Sequence, residues 1–248
     1  MKIYVVTHKK MQEELPENYE YIQVNAQNNG AFYPLNDADG EDNISAKNPY
    51  YCELTASYWI WKNDKKNDVV GLAHYRRFLT TNRFSSSPKH YVKEKKAEKL
   101  LKKYDFISTK LYKTNYPVKT HLLQNVREQD FNYLRQTVSE LYPDYLQAFD
   151  NVLSGNQSYL LNMFICKKTL WDGYYSWLFS IFDRLEEKVD MTGYSVQEQR
   201  LYGFLAERLF TVYVVKNGYK VKSYPTHIVG ESKLRILFQK LKKIAGIN

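Results

Sequence analysis

Short runs of β-branched and aromatic residues alternate along this chain with amphipathic segments, and the alternation predicts an α/β fold built on an open sheet. Residues 3–6 (IYVV) and 21–24 (YIQV) read as buried strands joined by a polar connection containing Pro16. Residues 25–48 are rich in Asn, Asp and Gly and predict a long functional loop. Pro49 suits a first helical turn, and residues 50–62 carry Leu54, Tyr58 and Trp61 at helical spacing, with Ser45 or Asn48 as the cap. Residues 69–73 predict the next strand and 85–88 a loop. Residues 89–103 predict a helix whose lysines form a solvated face, and residues 104–109 (YDFIST) a further strand. Helical spacing returns over 120–150 through Phe131, Leu134, Val138 and Leu141, interrupted at Pro143, as a lid or acceptor-facing lobe. Residues 159–166 (YLLNMFIC) read as a buried strand, 169–188 and 196–215 as helices, and 220–224 as a last strand.

The final 18 residues, 231–248, place Leu234, Leu237, Phe238, Leu241 and Ile244 on one side of a helix and Lys233, Arg235, Lys240, Lys242 and Lys243 around the other. Such a helix either lies on an anionic bilayer or docks on the body of the protein. The expected organisation is a single domain over residues 1–230 with a helical insertion at about 110–155, followed by this basic amphipathic helix.

Composition narrows the picture. At 248 residues and 44% hydrophobic, the chain can bury a substantial core, which excludes disordered and fibrous classes. No apolar run reaches membrane-spanning length, and the opening run is too short for a signal peptide. Cys52 and Cys166 lie in apolar runs without metal-ligand spacing, as expected of reduced thiols in a cytosolic protein. The net charge of +9 favours a polyanionic partner: nucleic acid, an anionic membrane or a phosphorylated substrate. The 23 tyrosines offer flat faces with hydroxyls, useful to sugars and nucleobases, although most are expected to be packing.

Candidate chemistry concentrates in residues 68–79 (DVVGLAHYRRFL), where an apolar strand ends in His74, Tyr75, Arg76 and Arg77. Residues just past the carboxyl end of such a strand commonly meet the ligand, and paired guanidinium groups suit a diphosphate. The same arginines would serve equally as partners of surface carboxylates. Lys47 and Asn48, at a helix start, are further phosphate candidates. No G-x-G-x-x-G, phosphate-loop or G-x-S-x-G motif occurs, which argues against dinucleotide enzymes, phosphate-loop ATPases and hydrolases.

Five runs taken in order, IYVVTHK (3–9), DNISAKNPYYCELTASYWIWKN (42–63), VVGLAHYRRFL (69–79), NMFICKK (162–168) and QRLYGFLAERLFTVYV (199–214), are spread along the chain from residue 3 to residue 214. Together they resemble the bacterial capsular and exopolysaccharide glycosyltransferases first catalogued as a domain of unknown function, some of them assigned as galactosyl or galactofuranosyl transferases. The resemblance implies a GT-A-like (Rossmann-like) open mixed sheet flanked by helices, and transfer of a hexosyl unit from a UDP-sugar. It makes Thr7, His8 and Lys9, after the first strand, candidates for the nucleotide, and Asn162 a contact for the donor sugar.

GT-A enzymes commonly hold a divalent metal on a D-x-D motif after a central strand. Here the corresponding place is taken by the HYRR run, so metal-independent neutralisation of the diphosphate by arginine is expected, with Mn²⁺ or Mg²⁺ an alternative. A literal D-A-D at residues 37–39 lies in the early polar loop. Glu198, in the run QEQR, is similar in placement to the acidic run preceding a late helix in other GT-A enzymes, which makes it the first choice for the catalytic or sugar-positioning carboxylate; its position near a helix start gives it an alternative role as a dipole partner. Gln199 and Arg200 are donor candidates beside it. Asp130 and Glu207 are reserves, Glu207 also being a candidate partner of Arg208 or Arg200.

The expected acceptor is a growing or undecaprenyl-diphosphate-linked glycan at the anionic inner face of the plasma membrane, where a cytoplasmic peripheral enzyme with a basic tail would work. Two other classes remain open. A nucleic-acid-binding module would use the charge and aromatics, but no recognised motif or aromatic-interleaved basic groove supports it, so no nucleic-acid partner is expected. A catalytically silent carbohydrate-binding protein would keep the fold alone.

Overall fold

A computed structural model describes residues 1–82 and 87–230; the basic amphipathic segment 231–248 and residues 83–86 of the connection after the HYRR run lie outside the described residues. In chain order the elements begin β1 (Lys2–Thr7), β2 (Tyr19–Gln23), α1 (Ala26–Asn29), α2 (Asn48–Tyr51), α3 (Leu54–Asn63), β3 (Val69–His74), β4 (Arg77–Leu79) and α4 (Glu94–Leu101). They continue β5 (Phe106–Thr109), β6 (Tyr112–Lys113), α5 (Val118–Leu122), α6 (Glu128–Leu141), α7 (Leu146–Ser154) and β7 (Gln157–Ser158). The last are β8 (Phe164–Lys167), α8 (Lys168–Glu186), α9 (Val196–Gln199), α10 (Leu201–Lys216), β9 (Val221–Tyr224) and β10 (Thr226–Ile228).

β1 lies between β2 and β3, parallel to both; β3 continues into antiparallel β8, then β5, then β9 parallel to β5. β4 folds back from β3 with His74 opposite Arg77, and β10 pairs with it. The sheet is thus mixed, open and Rossmann-like, with β8 running against its neighbours.

Both faces are covered, as the near-continuous apolar strands require. Along β1, Tyr4 and Val6 enter a large core with α3, α6, α8 and α10, whereas Ile3 and Val5 enter a smaller one under α4. The same two-residue alternation divides Phe164 and Cys166 of β8 from Ile165. α4 buries only Ala97 and Leu101, and its lysines are solvated, as read from the charge run. Most tyrosines are packing: Tyr51 stacks on Tyr202 at 4.3 Å between ring centroids, and Tyr174 and Tyr175 are fully buried. Gly71 lets β3 and β8 meet, because a Cβ there would stand 2.7 Å from Ile165 Cγ1.

Three elements read as continuous are broken. The helix expected over 50–62 stops at Cys52, whose φ of 54° and ψ of −128° separate α2 from α3. The strand expected over 159–166 is interrupted by Leu161 (φ 78°) and Asn162 (φ 50°), leaving only β8 in the main sheet. The helix expected over 196–215 divides at Arg200 into α9 and α10. Side-chain periodicity records which residues are apolar and carries no information on φ, so these breaks at non-glycine residues were invisible to it. Pro143 does divide α6 from α7, through a 3₁₀ turn over Pro143–Tyr145.

Candidate functional site

The carboxyl ends of β1 and β3 and the turn before β8 share one edge of the sheet, and there a cleft of about 590 Å³ opens. All three backbone breaks reach it: Cys52, Leu161 and Arg200 line its walls.

The first wall follows β1. Thr7 Oγ1 donates to Lys9 O at 2.7 Å and accepts from the Lys9 N–H at 3.2 Å, so its hydroxyl folds the turn that presents His8. The His8 ring meets Tyr75 edge-on at 5.2 Å, and Lys9 Nζ stands 5.1 Å from the same ring. Burial, aided by Lys9, pushes the His8 imidazole below its usual pKa.

The second wall is the hairpin of the HYRR run. Tyr75 N–H donates to Val6 O at 2.9 Å, extending the β1 pairing past the strand end. His74 Nε2 lies 2.7 Å from Leu161 O, which makes Nε2 the protonated nitrogen. Arg77 lines the cleft, whereas Arg76 does not; its carbonyl accepts from Val229 N–H at 2.9 Å. Neither guanidinium has an ion-pair partner among the described residues.

The floor joins segments far apart in sequence. Asn162 Nδ2 donates to Glu53 Oε1 at 2.6 Å and to Gly203 O at 3.1 Å, and Leu161 N–H donates to Glu207 Oε1 at 2.8 Å. Cys52 N–H donates to Asn48 O at 2.8 Å, and its carbonyl accepts from Asn48 Nδ2 at 2.6 Å. Its thiol packs against Gly203, where a Cβ would be 3.3 Å from Sγ. Holding one non-glycine residue in such a conformation costs about 1–3 kcal/mol, and these contacts supply the compensation. Burial first, then Glu53, pushes the Cys52 thiol up to about 11, so it is neutral at pH 7.

The two floor carboxylates differ. Glu207 is spent: Oε1 on Leu161, Oε2 on Arg208, in a side chain only 16% exposed whose carboxyl is raised by burial. Glu53 uses Oε1 on Asn162, while Oε2 has no hydrogen-bond donor among the described residues. Arg200 reaches in from the far wall, its Nε 3.4 Å from Cys52 Sγ, beside Val196 and Gln199.

Of the residues singled out from sequence, Thr7, His8, Asn48, His74, Tyr75, Arg77, Gln199, Arg200 and the reserve Glu207 line this cleft. Lys9 stands over the Tyr75 ring without lining the cleft, Asn162 lies beneath the floor at 4% exposure, and Lys47 is turned away into a pair with Glu186 at 2.7 Å. Glu198 lines a different cleft. It closes a capping box with Ser195 and lies 2.7 Å from Arg127 Nε, which together pull its carboxyl down to about 2. Asp130 is buried and accepts from Tyr194 Oη at 2.8 Å on both oxygens. Cys52, Glu53 and Leu161, none of them a site candidate from sequence, also line the first cleft. Glu53 sat inside the 42–63 run, hidden by an apparently unbroken helical period.

Asp37 of the D-A-D run is fully buried and takes four donors: Asn25 N–H at 2.9 Å, Ala26 N–H at 3.1 Å, Thr55 Oγ1 at 2.5 Å and Ser45 Oγ. With its oxygens committed to fixing α1 and the 45–47 turn, this run does not fit a divalent cation.

A family profile described as a domain of unknown function (DUF4422) matches residues 2–218. No curated protein matches. Among solved structures, the WbbM bifunctional glycosyltransferase in its apo form is similar, with 31% sequence identity and a TM-score of 0.83 over 93% of this chain. The match covers 45% of that chain, so the present sequence spans less than half the length of that relative.

Proposed function

This chain belongs to the DUF4422 family, and from that premise we propose that it is a GT-A-type glycosyltransferase binding a nucleotide-sugar donor in the cleft at the ends of β1 and β3. The observation carrying the reading is Arg77, a guanidinium without an ion-pair partner among the described residues, at the strand edge where an α/β sheet receives its ligand. Arg200 adds a second cation from the opposite wall.

In this reading the diphosphate lies against Arg77 and Arg200. Planar guanidinium forks match two phosphate oxygens each and stabilise the charge that grows on the leaving UDP, so no divalent cation is required. His8 and Tyr75 flank the nucleotide. Glu53 is the carboxylate for the acceptor hydroxyl: Asn162 fixes one oxygen and the other is available to take a proton or orient the hydroxyl. Glu207 positions the floor by holding the Leu161 amide.

The donor in this proposal is a UDP-hexose, galactose or galactofuranose, and the acceptor a growing or lipid-linked glycan of a cell-surface polysaccharide. The basic segment 231–248 would bring the enzyme to the anionic face carrying that acceptor. UDP release measured across a panel of UDP-sugars tests the assignment. Turnover of at least one donor, lost in Glu53→Ala and Arg77→Ala, is expected; a panel without turnover and without UDP binding would remove it.

A further inference from the structure

A second cleft, also about 590 Å³, lies on the other side of the one-turn helix α9. Val196, Gln199 and Arg200 face the first cleft, while Ser195, Gln197 and Glu198 face the second. The two are bridged by Gln197, whose Nε2 donates to Asn125 Oδ1 at 3.0 Å and whose Oε1 accepts from Arg200 Nη1 at 3.4 Å.

The chemistry of this second cleft is that of a neutral, hydroxyl-rich ligand. Gln124, Asn125 and Gln197 present three side-chain amides, each able to donate and accept. The charged side chains lining it are already paired: Arg127 with Glu198 at 2.7 Å and Glu128 with Lys119 at 3.0 Å. Its wall therefore offers hydrogen bonds without a net charge to attract an anion.

Beside it stands an exposed aromatic ledge. Leu111, Tyr112 and Tyr116 are 42%, 46% and 38% exposed, a concentration of apolar surface in six residues. Gln124 Nε2 donates to Tyr116 Oη at 3.5 Å, which joins ledge and cleft. Tyr112 packs at 5.3 Å on His121, whose Nδ1 accepts from Arg208 Nη2 at 2.9 Å, and Arg208 in turn holds Glu207 on the floor of the first cleft.

We infer that the second cleft and the Tyr112–Tyr116 ledge form a distal part of the acceptor site, holding those rings of a neutral oligosaccharide that lie away from the reacting hydroxyl at Glu53, with the rings on the tyrosines and their hydroxyls meeting Gln124, Asn125 and Gln197. This inference rests on the reading of the first cleft as the donor site. Flat aromatic faces with adjacent planar amides suit pyranose rings, which carry apolar C–H faces and hydroxyl edges.

The test presents the full chain, with UDP at saturation, to an array of neutral hexose oligosaccharides, and in parallel measures UDP affinity by calorimetry. Wild-type protein is expected to retain at least one neutral glycan. Tyr116→Ala and Asn125→Ala are expected to weaken it by tenfold or more while leaving UDP affinity within twofold, which also verifies that both variants are folded. No retained neutral glycan, or retention unchanged in both variants, overturns the subsite. Glycan retention sensitive to both substitutions, in a protein that does not bind UDP, supports the groove and overturns the donor reading instead.

Discussion

Asn162 and Glu53, 109 positions apart, are joined by a 2.6 Å hydrogen bond that ties the left-handed turn before β8 to the break between α2 and α3. Each partner adjoins a backbone conformation that costs energy, so the bond holds two strained segments in register beneath the cleft. Asn162→Ala is expected to destabilise the protein by about 1–3 kcal/mol, the cost of leaving a partly buried carboxylate unpaired. Urea unfolding measures this, and an unchanged midpoint would show that the turn holds without the bond.

Glu53→Gln keeps the size of the side chain and an acceptor for Asn162 while removing the charge. Turnover is expected to fall by about 10²–10⁴-fold, the range for loss of a positioned acid–base group, with UDP affinity nearly constant. Steady-state kinetics beside calorimetry separates the two; a parallel loss of affinity would assign Glu53 to donor binding.

Cys52 has the backbone angles of a position suited to glycine. Cys52→Gly is expected to melt at or above the wild-type temperature, whereas Cys52→Val, with a β-branched residue at positive φ, loses about 1–3 kcal/mol. Thermal melts compare the three. A Val variant as stable as the Gly variant would mean that the conformation is not imposed by its surroundings.

The broad architecture was legible because its signals are local and repeated. The IYVV run marks β1 to within one residue at each end, and the helix expected over 169–188 matches α8 to within two residues at each end. The HYRR run was legible because polar residues directly follow a buried strand. The floor of the cleft was not, since Cys52, Leu161 and Asn162 carry no Gly or Pro to announce a turn, and their conformations are imposed by tertiary contacts. Glu198 adjoins Gln199 and Arg200 in sequence, but successive residues of a helical turn point about 100° apart. The turn aims Arg200 into one cleft and Glu198 into the other.

His121 introduces a pH dependence. Its Nδ1 accepts from Arg208, so the imidazole is neutral, and burial first, then the Arg208 charge, lowers its pKa from 6.5. Arg208 with its partner Glu207, and the rings of Tyr112 and Tyr116, surround it. The unfolded chain takes up a proton at His121 more readily, so this contribution is complete above pH 6.5 and lost as pH falls through the lowered folded value. The urea midpoint is expected to drop from pH 7.5 to 5.5, and to drop less in His121→Gln. Equal drops would show that His121 is not responsible.

The most direct measurement is calorimetric titration of UDP into the wild-type chain and into Arg77→Ala, each with and without EDTA. Saturable binding insensitive to EDTA, weakened about 10- to 100-fold by Arg77→Ala as a charge-assisted contact worth about 1.5–3 kcal/mol would require, is the expected result. Absence of UDP binding, or binding of equal strength in Arg77→Ala, would contradict the assignment of this cleft to a nucleotide diphosphate.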